Sequence, residues 1–552
     1  MADAPAMRWW GWGDPEREPA LPPHALDFLR STVGVADQPR PPVALDNVAL
    51  PAPGLGEEAL APLRTIAGEQ GVRSDHEARV LHAAGKGYPD LVRMRAGEPQ
   101  EAPDAIVYPG SREQLTALLG HCSRESIAVV PFGGGTSVVG GVAPLRGEHR
   151  GVIALDMALI ADVRALDRES ATVTVGGGIR APALERELAV HGFTLGHYPQ
   201  SYEYVSLGGC AATRSAGQAS TGYGAIEKMV LGLRVCAPAG EIDLPPIPAT
   251  AAGPGVRQLL VGSEGTLGVI EQLHLRVREV PRARVYLGVF FERFPAGVEA
   301  LRACAREHVL PDVARLSDEH ETSMSLALAG TGGLKARIGR TYLGLRGYAD
   351  GCLAIFGFEG SAEDVDYRRG RALALAHGCG GISVGRSPGE AWRHARFGAP
   401  YLRDDLLTHG VMVETLETAT QWSNLLDLHG AVGDAIGTAL AGYDTPAYVM
   451  CHVSHVYETG ASLYFTFIAR QHEGDPIAQW RDVKAAACDA IVAGGGTITH
   501  HHAIGRDHAP WMAREVGDSA LAALSAAKAE LDPGGIMNPG KLALAAAAIR
   551  TV

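Results

Sequence analysis

The heptapeptide Pro131-Phe132-Gly133-Gly134-Gly135-Thr136-Ser137 constrains this chain most. It follows the apolar run Ile127–Val130 directly, so a buried strand ends in a loop of three consecutive glycines. Without Cβ atoms the backbone can approach an anion and present several N–H groups to it, and Thr136 and Ser137 add hydroxyls. The spacing is not GxGxxG, no helix opens directly after the loop, and no GK[ST] follows, so the dinucleotide fingerprint and the P-loop are both excluded. Taken alone, the heptapeptide reads equally well as a plain glycine-rich turn.

Its surroundings form a βαβ unit. Ala105–Tyr108 reads as a strand broken by Pro109-Gly110. Ser111 caps a helix, Gln114 completes a capping box, and Leu115, Leu118 and Leu119 give one apolar face. The crossover has about the minimal length, so the flanking strands are expected to be parallel. Val152–Leu155 and Thr172–Val175 read as further strands, and the turn Gly176-Gly177-Gly178 leads into a helix over Ala183–Val190. Leu259–Gly262 and Leu267–Val277 read as β-rich. From Val285 a strand–helix order repeats, over Val285–Phe291, Ala296–His308, Leu353–Phe358 and Glu363–Ala376. That order predicts an antiparallel sheet with helices on one face. The glycine-rich Ala327–Gly347 is either a mobile lid or a long surface loop. Residues 1–100 alternate helical patches (Glu57–Gln70, Ser74–Gly85) with loops and carry no core of their own. Ala520–Glu530 is an Ala-rich helix ending at Asp532-Pro533-Gly534.

Two more loops share the texture of the first. One carries Pro199, Ser201, Tyr202, Ser206 and Gly209, then Thr213, Arg214 and Ser215. The other carries Glu264, Gly265, Thr266, Gly268, Val269 and Ile270. Each combines small residues, hydroxyls and a strand junction, as a long nucleotide with a pyrophosphate requires. Nucleic acid is not expected as a partner, because 62 acidic residues against 49 basic ones give a net charge of −13. The eight cysteines include no CxxC pair, so they read as reduced, mostly buried thiols rather than a zinc site or redox pair. No run of 18 apolar residues suggests a membrane span, and MADAPAMRWWGWGDPE lacks the order of a signal peptide.

The three loops resemble those of the vanillyl-alcohol-oxidase/PCMH superfamily of FAD enzymes. Within it, nearly the whole chain resembles the alkyldihydroxyacetonephosphate synthase (alkylglycerone-phosphate synthase) family. The likeness runs from Trp10-Gly11-Trp12-Gly13 through the loops to Ala314-Arg315-Leu316-Ser317-Asp318 and Tyr401-Leu402-Arg403-Asp404. It continues over Glu414-Thr415 to Trp422, the strand at Tyr464-Phe465, His500-His501-His502 and the closing Asp532-Pro533. The resemblance implies a mixed α+β fold with a PCMH-type, two-subdomain FAD-binding domain over 101–280 and an antiparallel-sheet cap domain over 281–499. A wrapping segment over 1–100 and a C-terminal segment over 500–552, which returns the His loop to the flavin, complete it.

The implied chemistry is a redox-neutral exchange through a flavin N5 adduct, in which the acyl chain of acyl-dihydroxyacetone phosphate is replaced by a fatty alcohol. Tyr464 would transfer the proton at C1, Arg403 would bind the phosphate, and Arg315 would support the site. His500, His501 and His502 would contact flavin and substrate. In an extended run His500 and His502 would share one face and His501 would point away. Non-covalent FAD is expected, because Pro131–Ser137 contains neither His nor Cys. No metal is expected. Gln200 and Tyr202 depart from the family's flavin loop, and His452 stands where the family has Arg. That His, and Ile536-Met537-Asn538-Pro539-Gly540-Lys541, look like flavin 2-hydroxyacid dehydrogenases, so an FAD-linked oxidase or dehydrogenase is the alternative. However, His452–Tyr457 does not match HxGDGNxH, and His500–Gly505 replaces GEHGIG without its acidic ligand. A flavin-binding protein without catalysis is a third, weaker reading. The family implies a homodimer. The ending Ile549-Arg550-Thr551-Val552 lacks the peroxisomal SKL; with the Ala-rich composition, a bacterial cytosolic enzyme that touches the membrane surface to collect lipid is expected.

Overall fold

The computed structural model describes residues 7–16, 21–328 and 343–544. Most of the Gly-rich Ala327–Gly347, read as lid or loop, lies outside the described residues. Three main sheets organise the rest. The first has the order β1-β2-β4-β3, from β1 (Val72–Arg73), β2 (Ala105–Val107), β3 (Ile127–Phe132) and β4 (Gly151–Asp156). Strands β2 and β3 each run parallel to β4. The βαβ unit therefore has parallel strands, but β4 lies between them. Ser111 Oγ accepts the Gln114 N–H at 3.2 Å, whereas Gln114 Oε1 accepts from Gly110, at 2.7 Å, rather than from Ser111.

The second sheet is antiparallel, in the order β5-β6-β10-β8-β9: β5 (Val163–Asp167), β6 (Thr172–Gly176), β8 (Val230–Ala237), β9 (Gly240–Leu244) and β10 (Val269–Arg276). A short pair, β7 (Phe193–Thr194) and β11 (Arg278–Glu279), flanks it. The β-rich reading of Leu259–Gly262 is corrected: Val256–Leu260 is a helix that buries Leu260. Three apolar side chains in a row carry no period that separates strand from helix.

The third sheet runs β15-β12-β14-β13-β17-β18-β16, antiparallel throughout. Its strands are β12 (Ala283–Phe291), β13 (Val313–Ser317), β14 (Cys352–Gly360), β15 (Ile382–Gly385), β16 (Val411–Gln421), β17 (Ala447–Val456) and β18 (Gly460–Arg470). Alternation of side chains gives this sheet two different faces. Leu287, Val289, Phe291, Phe356, Phe358, Phe465 and Phe467 enter a core shared with the helices Phe294–Arg306, Ala362–Gly378, Leu425–Ala441 and Pro476–Ala493. Tyr286, Val313 and Ile355 point the other way and join the core around the second sheet. Strand β18 shows the alternation residue by residue, with Tyr464, Thr466 and Ile468 facing a central cavity and Phe465 and Phe467 buried behind them.

Both ends of the described chain reinforce this centre. Trp12 N–H donates to Asp404 at 2.9 Å, and Lys86 Nζ donates to the Arg8 carbonyl at 2.7 Å. Near the other end, Val129 N–H donates to Ile536 and Asn538 N–H donates to Val129, which seats residues 536–538 alongside β3.

Candidate active site

A cavity of about 530 Å³ lies where the three sheets meet. Pro131, Gly133, Gly134, Gly135, Thr136 and Ser137 all line it. Pro199, Ser201, Ser206, Gly209, Thr213 and Ser215 line it from the second loop, and Glu264, Gly265, Gly268, Val269 and Ile270 from the third. The glycines are required by close packing: a Cβ on Gly133 would overlap Ser206 Oγ, and one on Gly134 would overlap the Tyr204 carbonyl. Gly135, at φ +66°, also occupies the left-handed region that favours glycine.

Four predicted residues lie outside this lining. The Tyr202 ring stacks on Phe397 with centroids 5.1 Å apart. Arg214 donates to the carbonyls of Gln258 and Val261 at 2.8 and 2.9 Å. The Thr266 hydroxyl donates to the Ser263 carbonyl at 2.7 Å. His500 turns toward Tyr457. Glu264 lines the cavity, but its carboxylate is engaged from behind by the N–H groups of Ile504 and Gly505 at 2.8 and 2.7 Å.

The loop-lined part fits a flavin dinucleotide. It offers backbone, hydroxyls and glycine surface with little side-chain charge. Three polar atoms on residues of the cavity wall, Gln218 Oε1, Glu321 Oε2 and His502 Nδ1, are buried without a protein hydrogen bond, the last 3.5 Å from Glu417. A ligand with donors and acceptors answers all of these features at once.

Beyond the loops, the wall becomes chemically distinct. Tyr464 lies 4.8 Å from the His452 ring, 5.9 Å from His501 and 5.5 Å from His502, centroid to centroid. Arg403 is buried, with Nη1 donating to the Lys86 carbonyl at 3.2 Å. Arg315 donates to Glu321 at 2.8 Å and packs against His452. Burial raises the Glu321 carboxyl, but Arg315 and His452 outweigh it and hold the group at about 2. Burial pushes the Tyr464 phenol up, against the pull of Thr415 and Arg403, so it remains a protonated donor at neutral pH.

The His run is not extended, which corrects the expected alternation. The N–H groups of His500, His501 and His502 all converge on the carboxylate of Glu417, as does the Thr499 hydroxyl at 2.8 Å. That turn brings His501 and His502 together onto the cavity and sends His500 away from it. Glu417 carries no signal in the sequence, because in Val411–Gln421 it reads as one more polar residue of an alternating strand.

Burial keeps these imidazoles neutral. His502 is pushed down to about 3 and His455 to about 4, and His500 and His501 lie well below the ordinary value. His197, down to about 3, and His508 behave alike. For a depressed folded pKa, the stability is present above the unfolded value near 6.5 and is lost as pH falls below it. Each such histidine contributes at most about 1.4 kcal/mol per pH unit. Glu264 and Glu417, both raised by burial to about 7, have the opposite sign: their stabilisation is present below about 4.5 and is lost as pH rises through 7. Asp90 and Asp404, raised by burial to about 6, act in the same direction as the two glutamates. The six histidines outnumber these four carboxyls, so the melting temperature should fall from pH 7 to pH 5; a rise on acidification would contradict the assignment of neutral rings.

Comparison with known proteins decides the family. The chain is 31% identical, over 97% of its length and 93% of the relative's, to an alkyldihydroxyacetonephosphate synthase of Dictyostelium discoideum. It is 32% identical, over 97% and 92%, to the protein of that name from Trypanosoma brucei brucei. The chain belongs to the alkyldihydroxyacetonephosphate synthase family. A solved structure described as alkyldihydroxyacetonephosphate synthase superposes with a TM-score of 0.83 at 29% identity, covering 97% of this chain and 98% of that one. Residues 103–243 match the FAD binding domain family, and residues 280–542 match the C-terminal domain of FAD linked oxidases. This member of the synthase family is thus an FAD enzyme of mixed α+β fold. Its FAD-binding match spans the first two loops, and the cavity residues Arg403, Tyr464, His501 and His502 all fall within the second match.

Proposed function

We propose that the chain exchanges the acyl chain of acyl-dihydroxyacetone phosphate for a long-chain alcohol, with no net oxidation or reduction. One observation carries this reading: the cavity face of the third sheet changes from polar to apolar along its strands. Tyr464 stands opposite His452, Thr466 opposite Thr415 and Met450, and Ile468 opposite Val413. Each step along a strand is two residues, about 7 Å. Past Ile468 the wall is completed by Leu29, Met324, Leu328, Leu402 and Leu406, from three separate helices. A molecule with a phosphorylated head and a long hydrocarbon tail matches that order, and a small hydroxy acid leaves the apolar half unused.

Bound FAD supplies nucleophilic chemistry at C1 of the substrate. Tyr464 holds or moves the C1 proton, and His501 and His502 bond the substrate's oxygens as neutral groups. Arg403 pairs with the phosphate through its planar fork, for which Lys offers no equivalent. Arg403→Lys should therefore raise KM for the phosphorylated substrate roughly ten- to a hundredfold while leaving the melting temperature nearly unchanged; an unaltered KM would remove Arg403 from this role.

FAD is held without a covalent tether in this reading. Cys210 lines the cavity, but burial pushes its thiol up to about 12, far from a reactive thiolate. Acid precipitation should leave a white pellet and a yellow supernatant, and flavin retained in the washed pellet would contradict it. Contact with a membrane surface belongs to the same reading, because two long chains are collected from lipid rather than water. The implied homodimer belongs to it too. Among the described residues no helix is long and apolar enough to cross a membrane. The direct test is incubation with acyl-dihydroxyacetone phosphate and hexadecanol. An ether product and one free fatty acid per ether support the proposal; hydrolysis alone, or no reaction, counts against it.

A further inference from the structure

The His run contains a residue that the proposed exchange does not use. His500 lies outside the cavity lining, yet both its ring nitrogens are engaged. Nδ1 lies 2.9 Å from Nδ1 of His501, and Nε2 lies 2.5 Å from the Tyr457 hydroxyl. His501 lines the cavity beside Tyr464, and Nε2 is the ring nitrogen it does not turn to His500. Tyr457, at the other end, is half-buried and sits under the exposed Lys228, whose Nζ lies 5.9 Å from the ring. A chain of hydrogen-bonded groups therefore runs from the cavity wall to the half-buried Tyr457, beside the exposed Lys228.

We propose that His501, His500 and Tyr457 form a proton relay between the cavity and solvent. A bond between two Nδ1 atoms needs one N–H and one lone pair, so neutral rings must take opposite tautomers. In one state His501 Nδ1–H donates to His500 Nδ1, and His500 Nε2–H donates to Tyr457. A proton that arrives at His501 Nε2 moves the shared proton to His500 Nδ1. The Nε2 proton of His500 then passes to the Tyr457 oxygen, whose own proton leaves to water. At each transfer one N–H or O–H bond breaks and one forms, and no electrons leave the chain. The second state keeps every bond with donor and acceptor reversed, and passage of a proton inward restores the first. Glu417 fixes the backbone of both histidines through their N–H groups, so the rings stay aligned. The relay deepens the proposed function and rests on it in one respect: a proton taken from C1 and later returned uses the chain once in each direction.

The test uses the FAD-loaded enzyme and Tyr457→Phe, which keeps the ring and removes the hydroxyl. The variant should retain flavin and KM but turn over roughly tenfold slower or worse in dilute buffer. Concentrated imidazole buffer should restore much of the rate by carrying the proton itself. Full activity in dilute buffer, or a loss that buffer does not restore, would overturn the relay. A second readout needs no substrate. In ¹⁵N-histidine spectra, His500 should show shifts averaged over two tautomers in the wild type and those of one tautomer in Tyr457→Phe; a single tautomer in both would overturn it. His455, His500 and His501 offer nitrogens within 4.8 Å of one another. Stoichiometric zinc retained by these rings would block both tautomer shifts and overturn the relay as well. A wild type that gives no ether product, yet shows the two-tautomer signature, would sink the proposed exchange and leave the relay standing.

Discussion

Tyr464→Phe should keep fold and flavin and lose turnover by roughly 10²–10⁴-fold. The ring is held from several sides, with His452, His501 and His502 around it and Phe465 and Phe467 anchoring its strand in the core. Phenylalanine preserves all of that packing and removes only the hydroxyl. The loss should therefore appear in kcat, with KM and melting temperature close to wild type. A fully active variant would end the role assigned to this phenol, and a variant that loses its flavin would show that the hydroxyl is structural.

Glu417→Ala should affect both stability and activity. Four donors, three N–H groups and the Thr499 hydroxyl, converge on a fully buried carboxylate. Alanine leaves all four without an acceptor, and each buried, unsatisfied donor costs about 1–3 kcal/mol. Partial relaxation of the loop limits the net loss to on the order of 3–5 kcal/mol. The same relaxation carries His501 and His502 away from the cavity, so activity should fall to background even where the variant remains folded. Glu264 holds Ile504 and Gly505 from the other half of the molecule, so the loop should shift rather than detach. Thermal melting together with turnover at a temperature well below the transition checks this. Near-wild-type values for both would mean that the loop is held by other contacts.

The parts legible in the sequence were those set by local chemistry. The Ser111 cap and the parallel strands around the first glycine loop each follow from neighbours in the chain. So do the glycine loops, because their backbone approaches each other too closely for a Cβ. Long-range partners were not legible. Arg214 has the charge expected of a nucleotide contact, but two carbonyls of a distant helix and turn take its guanidinium. The conformation of the His run is decided by Glu417, more than 80 residues away. The relay through Tyr457 depends on that same turn. Leu259–Gly262 reads as β-rich yet overlaps a helix, because a short apolar run is the same in a helix or a strand.

A redox-neutral exchange and an oxidation leave the flavin in different states, and a spectrum recorded without oxygen separates them. Acyl-dihydroxyacetone phosphate and hexadecanol should give ether product, free fatty acid and an oxidised flavin spectrum at the end of the reaction. D-lactate and glycolate should not bleach the flavin. Rapid bleaching by a hydroxy acid, with no ether product from the lipid substrates, would contradict the exchange and make the chain an FAD-linked dehydrogenase on the same fold.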